Sequence, residues 1–144
     1  MPYRTTTLMI AAAVLLSLCA GCAASTPVED APLAEERQKK LHQTLVGTWE
    51  HTHIVDKKGN REPVETATIT WSFKEDGTGA YHQKVPSMSM NKMNSFHWHL
   101  EGRNIVLELD KGGRKTYYRA ESWSPQQMRW FNYTQSNHYV VRKQ

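Results

Sequence analysis

From residue 45 onward, apolar and polar residues alternate in short runs that are separated by turn signals. The clearest run is 65–73, in which threonine and serine alternate with Ala67, Ile69, Trp71 and Phe73. A period of two is typical of a β-strand with one buried face. The same criterion predicts eight strands, at 46–55, 65–73, 78–85, 95–101, 105–110, 114–121, 128–134 and 138–143.

The connections between these strands predict how they assemble. Most are short turns such as Glu75-Asp76-Gly77, and one of the two longest connections is a loop at Pro86–Asn94. Successive hairpins without a long crossover favour a closed, all-β, eight-stranded antiparallel up-and-down barrel over 45–144. A two-sheet sandwich is the alternative.

The first strand carries the residues around which we expect the barrel to be organised. Gly47-Thr48-Trp49 places a bulky indole just after a glycine, where it can plug one end of a small barrel. A short helix at 33–44 precedes it. Pro32 stands at a helix-start position, and the acids of the first turn precede the lysines that follow, which suits the helix dipole. We expect this helix to cap the barrel or to lie beside it.

The N-terminus has the pattern of a secretory leader. Arg4 precedes the apolar run Leu8–Leu18, which is too short to span a bilayer but long enough for a signal-peptide core. Ala20-Gly21 then precedes Cys22, and this resembles the lipobox of bacterial lipoproteins. The resemblance implies a signal peptide at 1–21 and a membrane lipid anchor on Cys22, which would carry palmitate or a similar acyl chain. It also implies an outer-membrane protein that faces the periplasm.

Residues 22–32 are small, polar and proline-containing, as in a flexible linker. The alternative for the leader is simple secretion with a free Cys22 thiol.

Cysteine usage and charge limit the chemistry of the folded part. Cys19 and Cys22 both lie in the leader, so we expect no disulfide and no cysteine-based zinc site in the barrel. The formal charge of +4 is scattered among acids, whereas a nucleic-acid-binding protein needs a clustered basic stripe. We find no nucleophile elbow, phosphate loop or paired-carboxylate motif, so we expect neither an enzyme nor a bound cofactor.

Several stretches together resemble the small bacterial lipocalin-like domains of the calycin superfamily. They are Leu45-x-Gly47-Thr48-Trp49, Trp71-x-Phe73-x-x-Asp76-Gly77-Thr78-Gly79, Phe96-x-Trp98-x-Leu100-x-Gly102-x-x-Ile105-x-Leu107, and Tyr118-x-Ala120 with Trp123, Met128 and Trp130. The resemblance implies an eight-stranded barrel, often with an apolar interior and mostly without a reaction. It implies structural roles for Gly47, Trp49, Asp76 and Gly77, and for Arg142 as a cation over the Trp49 ring.

The inward-facing positions predict a candidate ligand site. By parity with Trp49, we expect the interior to be lined by Trp49, His51, His53, Trp71, Phe73, Trp98 and Trp130. Such a barrel is either filled by its own aromatic rings or holds a small hydrophobic ligand, with the two imidazoles as polar groups. A protein-interaction or inhibitor module with an unknown protein partner is the alternative function.

Two histidine pairs and one methionine cluster are the candidate metal ligands. His51-x-His53 is predicted to face inward and His97-x-His99 outward, so the two pairs cannot form one four-ligand site. The loop at 86–94 carries Met88, Met90 and Met93, and thioether clusters select Cu(I). Periplasmic copper binding through this loop is therefore a further alternative.

Overall fold

The computed structural model of the protein describes residues 31–144. The predicted signal peptide, Cys22 and most of the linker lie outside the described residues. The described part consists of one α-helix, α1 (Ala31–Leu45), and nine strands: β1 (Gly47–Val55), β2 (Arg61–Pro63), β3 (Thr68–Phe73), β4 (Thr78–Val85), β5 (Met90–Glu101), β6 (Asn104–Leu109), β7 (Lys115–Trp123), β8 (Gln127–Asn132) and β9 (Asn137–Lys143).

The strands form a closed antiparallel barrel, which confirms the predicted fold class. From β3 to β9 each strand pairs with the next in sequence, and β9 pairs back with β1 from Trp49–Lys143 to Val55–His138. β2 pairs with the C-terminal part of β1, and β3 pairs with the N-terminal part. These two short strands therefore occupy one position of an eight-stranded barrel. Closure pairs the first strand with the last and leaves no long open edge.

The predicted loop at 86–94 is wrong, because most of it belongs to a long strand. Only Pro86–Met88 forms a short 3₁₀ turn, and Ser89 adopts a left-handed conformation with φ 49° that turns the chain back. β5 then begins at Met90, which pairs with Val85. The polar residues of 91–95 give little strand signal by themselves, and it is pairing with β4 that holds them extended.

α1 covers one end of the barrel. Its Leu41 and Leu45 are buried, whereas Leu33 is 56% exposed. The His42 ring stacks on Trp98 at 4.8 Å, and Gln38 donates a hydrogen bond to the carbonyl of Leu100. The helix therefore caps the barrel end that carries the turns after β3, β5 and β7.

Trp49 ties the helix to the barrel, because it is fully buried and its Nε1 donates to the carbonyl of Leu45 at 2.7 Å. This carbonyl is among the last four of the helix, which have no partner within it. Gly47 has φ 130°, and a Cβ there would meet the Lys143 side chain. Lys143 donates to the carbonyl of Thr44 and lies 5.3 Å from the Trp49 ring centroid.

The cation over Trp49 is therefore Lys143, and the role predicted for Arg142 is wrong. Side chains alternate along β9, and Arg142 is exposed opposite Glu50 on the outer face of β1. Its neighbour Lys143 pairs directly with Trp49 and reaches under the barrel end to the helix. Only the register across the β1–β9 closure decides which of the two adjacent basic residues meets the indole.

Asp76 and Gly77 form the turn between β3 and β4. The Asp76 carboxylate accepts from the backbone N–H of Thr78 at 2.9 Å and from its hydroxyl at 2.6 Å. Gly77 adopts φ 81°, which favours glycine, and its carbonyl accepts from the backbone N–H of Trp98. Asp76 thus fixes the turn itself, and Gly77 joins the turn to β5.

Candidate functional site

The barrel end opposite α1 is open, and its mouth contains a pocket of about 240 Å³. We call it the mouth pocket. Its aromatic lining comes from four different strands and consists of Trp71, Tyr81, Tyr118 and Tyr139. Its polar lining comes from β7, β8 and the turns that precede β7 and β9, and consists of Arg114, Lys115, Thr116, Asn132, Thr134 and Gln135.

Below the mouth pocket the barrel is filled by its own rings. Trp71 lies 4.5 Å from Tyr81 and 5.5 Å from Tyr118 between ring centroids, and it meets Trp130 edge-on at 6.2 Å. Trp130 in turn meets Trp49 at 6.5 Å, which continues the stack of rings to the helix end. The sequence left a filled interior and a cavity as alternatives, and the barrel has both, at different depths.

His51 lies directly beneath the mouth pocket and is 5% exposed. Its Nε2 accepts a hydrogen bond from Trp71 Nε1 at 2.6 Å, so the neutral ring carries its proton on Nδ1. Burial lowers the pKa of His51 to about 4, and the ring is neutral at pH 7. Within residues 31–144, neither His51 Nδ1 nor Trp130 Nε1 has a hydrogen-bond partner. The core under the mouth pocket thus contains two buried N–H donors that no described protein group satisfies.

The phenol groups of the mouth pocket are neutral and hydrogen-bonded. Tyr139 Oη donates to Gln135 Oε1 and accepts from Asn132 Nδ2, both at 2.7 Å. Burial raises the pKa of Tyr81 to about 12 and also raises those of Tyr118 and Tyr139. These hydroxyls therefore remain protonated at physiological pH.

The charged groups at the mouth are mostly basic. The mouth pocket is lined by Arg114 and Lys115 and by no carboxylate. Lys115 lies 3.7 Å from Glu108, whereas Arg114 makes no ion pair with any residue of 31–144. Arg114 also borders an outer groove that contains Lys92 and Lys111, together with Asp110, which hydrogen-bonds His97.

The structure places the predicted ligand-binding residues at several depths. Trp71 lines the mouth pocket and His51 lies beneath it, while Trp49, Phe73 and Trp130 belong to the filled core. Trp98 lies at the barrel end that α1 caps, where its Nε1 donates to the carbonyls of Lys74 and Thr78.

The inward orientation predicted for His53 is wrong. The β1–β9 register shifts between His51 and His53, and this bulge at Thr52 reverses the alternation, so that Ile54 packs on the core. His53 instead lies beside Arg61, whose guanidinium is 3.2 Å from His53 Nδ1.

Sequence reasoning missed the three tyrosines and Arg114. Thr116 and Tyr118 alternate with exposed residues in β7, and Arg114 precedes them at the same parity. Parity along this strand was thus a usable signal for Arg114, whereas nothing local indicates that the tyrosines of three strands converge.

The predicted metal ligands do not gather in the described structure. Met88 and Met93 are 72% and 68% exposed, and Met90 and Met93 lie at opposite parities of β5. The three thioethers therefore do not share one strand face. No three His, Cys, Asp or Glu side chains within residues 31–144 are placed to hold a metal ion. In the same part of the chain, no helix has the length and apolar character needed to cross a bilayer.

Comparison with known proteins agrees with this architecture. A family model described as a lipocalin-like domain matches residues 45–130. A crystal structure of a lipocalin-like protein from Bacteroides uniformis ATCC 8492 is similar with a TM-score of 0.57 and 18% identity, covering 70% of this chain and 99% of that chain.

An uncharacterized protein from Bacteroides eggerthii DSM 20697 is similar with a TM-score of 0.56 and 17% identity, covering 69% of this chain and 99% of that chain. At these identities the two structures support the fold alone. Among curated protein sequences there is no significant match.

Proposed function

Because the chain belongs to the lipocalin-like domain family, we propose that it is a non-catalytic binding protein that holds a small ligand in the mouth pocket. The observation that carries this proposal is the mouth pocket itself: an aromatic lining from four strands meets a few converging polar groups above a filled core. Ligand sites are typically concave surfaces of this kind. A volume of about 240 Å³ suits a small ligand whose apolar body contacts the rings.

We also propose that the protein works at the bacterial cell envelope, attached through a lipid on Cys22. The support is the lipobox-like sequence before Cys22 and the small, polar, proline-containing sequence between Cys22 and α1. Two or more acyl chains give stable anchoring, because each buried CH₂ contributes ~0.8 kcal/mol. The linker would then leave the barrel free to meet its ligand in the periplasm.

Native mass spectrometry of the full-length protein, purified from its own host, tests the ligand proposal. We expect a reproducible mass beyond that of the lipidated chain. The variant Thr134→Trp, which places an indole at the mouth pocket, should lose this mass. Gln126→Trp, at the opposite barrel end, is the matched control and should retain it. The proposal fails if no ligand mass is found, or if both variants retain it equally.

Membrane fractionation tests the anchor. We expect the intact mass of the mature protein to show acyl chains on Cys22, and Cys22→Ser to move the protein out of the membrane fraction. Cys19→Ser should change neither result, because Cys19 lies within the segment predicted to be removed. An unmodified mature Cys22 would contradict the envelope anchor and leave the ligand proposal intact.

A further inference from the structure

We propose that the ligand of the mouth pocket is a small organic anion, with a carboxylate or a similar acidic group bound by Arg114. This inference rests on the proposed function, since it assigns a chemical class to the same ligand. It departs from a purely hydrophobic ligand, which the barrel fold alone would suggest. Its basis is the inventory of charges and hydrogen-bonding groups around the mouth pocket.

Arg114 is placed to face a ligand. It precedes β7 at the parity of Thr116 and Tyr118, both of which line the mouth pocket, and it is itself part of the lining. No residue of 31–144 forms an ion pair with it. A guanidinium presents several N–H groups in a planar fork that matches a carboxylate with two parallel hydrogen bonds.

The two side-chain amide oxygens of the mouth pocket are already occupied, whereas two donor groups have no described acceptor. Gln135 Oε1 accepts from Tyr139 and Asn137, and Asn132 Oδ1 accepts from the backbone N–H groups of Thr134 and Gln135. Within residues 31–144, neither the side-chain amide nitrogen of Gln135 nor the Arg114 guanidinium donates to an acceptor, so both can donate to a ligand. A ligand rich in acceptors fits this arrangement, and a ligand rich in donors does not.

The surrounding charges point the same way. Lys92 and Lys111 share the adjacent groove with Arg114. Two acids lie nearby: Asp110 hydrogen-bonds His97 in the same groove, and Glu108 pairs with Lys115 on the outer face. The four basic residues outnumber these two acids, and the net positive charge raises the local concentration of an approaching anion and repels a cation.

The body of the ligand would lie against aromatic rings. Trp71, Tyr118 and Tyr139 supply ring surface to the mouth pocket, and their hydroxyl and indole groups are mostly bonded to protein partners. A flat or compact apolar body can replace water on these surfaces. The predicted class is thus a small carboxylate with an apolar body, which suggests benzoate as a simple probe.

The test compares three probes of one shape and different charge: benzoate, benzamide and benzylammonium. Each is titrated into the full-length ¹⁵N-labelled protein in a neutral detergent, and the amide and indole shifts of residues in the mouth pocket are followed. We expect benzoate to bind at least tenfold more tightly than benzamide, and benzylammonium to bind most weakly. The affinity for benzoate should fall as salt is added, because the charges at the rim are partly exposed.

Two arginine variants make the test specific. Arg114→Gln should lower the affinity for benzoate about tenfold and change the affinity for benzamide by less than twofold. Arg142→Gln removes the same charge at the opposite barrel end and should leave both probes unchanged. An unchanged dispersion of the amide signals verifies that each variant is folded.

The outcomes separate the two proposals. Equal binding of benzoate and benzamide in the mouth pocket, or an Arg114→Gln variant that still prefers benzoate, overturns the anion proposal while the ligand site stands. Binding of none of the three probes overturns the anion proposal as well, and the mass measurement above then decides the ligand site by itself. If benzylammonium binds more tightly than benzoate, the anion proposal is overturned and the site prefers a cation.

Discussion

The hydrogen bond from the Trp49 indole N–H should make Trp49→Phe more destabilising than the same substitution at Trp130. We compare Trp49→Phe with Trp130→Phe. Both side chains are buried, with exposures of 0% and 1%, and both lie in the same ring stack. The substitution removes the same atoms at each position. The difference is that Trp49 Nε1 donates to the Leu45 carbonyl, whereas Trp130 Nε1 has no partner within residues 31–144.

The magnitude follows from the buried polar groups that each variant leaves behind. Trp49→Phe leaves the Leu45 carbonyl buried at the helix C-terminus without its donor, and an unsatisfied buried group costs about 1–3 kcal/mol. Trp130→Phe removes a buried donor that has no described protein partner, so its loss of ring volume is partly offset. We therefore expect the free energy of unfolding of Trp49→Phe to be about 1–3 kcal/mol lower than that of Trp130→Phe. Domains of this size have roughly 5–15 kcal/mol in total.

Urea unfolding followed by circular dichroism measures this difference directly. Trp49→Ala provides a reference, since truncating a buried tryptophan costs ~3–5 kcal/mol. Equal stabilities of the two phenylalanine variants, or a less stable Trp130→Phe, would show that the contact with Leu45 does not anchor the helix. A drop in helical signal for Trp49→Phe alone, before the barrel unfolds, would support the anchoring role.

Three further predictions concern single positions. Burial lowers the pKa of His51 from 6.5 to about 4, so the unfolded chain binds this proton at a higher pH than the folded protein does. As the pH falls from 6.5 to 4, the free energy of unfolding should therefore decrease by about 3 kcal/mol more for the wild-type protein than for His51→Gln, as measured by urea unfolding at each pH. Gly79→Ala should lower the melting temperature through a loss of about 1–3 kcal/mol, since the added Cβ overlaps the Phe96 ring; an unchanged melting curve would refute the close packing. In urea unfolding, Lys143→Met should lower the free energy of unfolding by about 1–2 kcal/mol, and Arg142→Met should lower it by less than about 0.5 kcal/mol. The reason is that only Lys143 contacts the C-terminus of α1 and the Trp49 ring.

Much of the fold was predictable because its signals are local. Some elements depend only on backbone geometry within a few residues. They are the alternating strand at 68–73, the turn at Asp76-Gly77 and the helix that begins near Pro32. The aromatic residues at inward positions also predicted a barrel interior lined by rings, and Trp49 was correctly expected at one end of it. The length of β5 was missed because its first residues are polar and are held extended by their neighbour β4.

The candidate site was much less predictable, since its residues are assembled by pairing between distant strands. The sequence by itself determined that alternating strands would bury a stack of rings, because side-chain parity is a property of each extended segment. Only the tertiary structure decided that a bulge at Thr52 turns His53 outward, that Lys143 meets Trp49, and that Arg114 borders three tyrosines. Each of these depends on the register between segments far apart in the chain, and a shift of one residue would send the side chain to the opposite face.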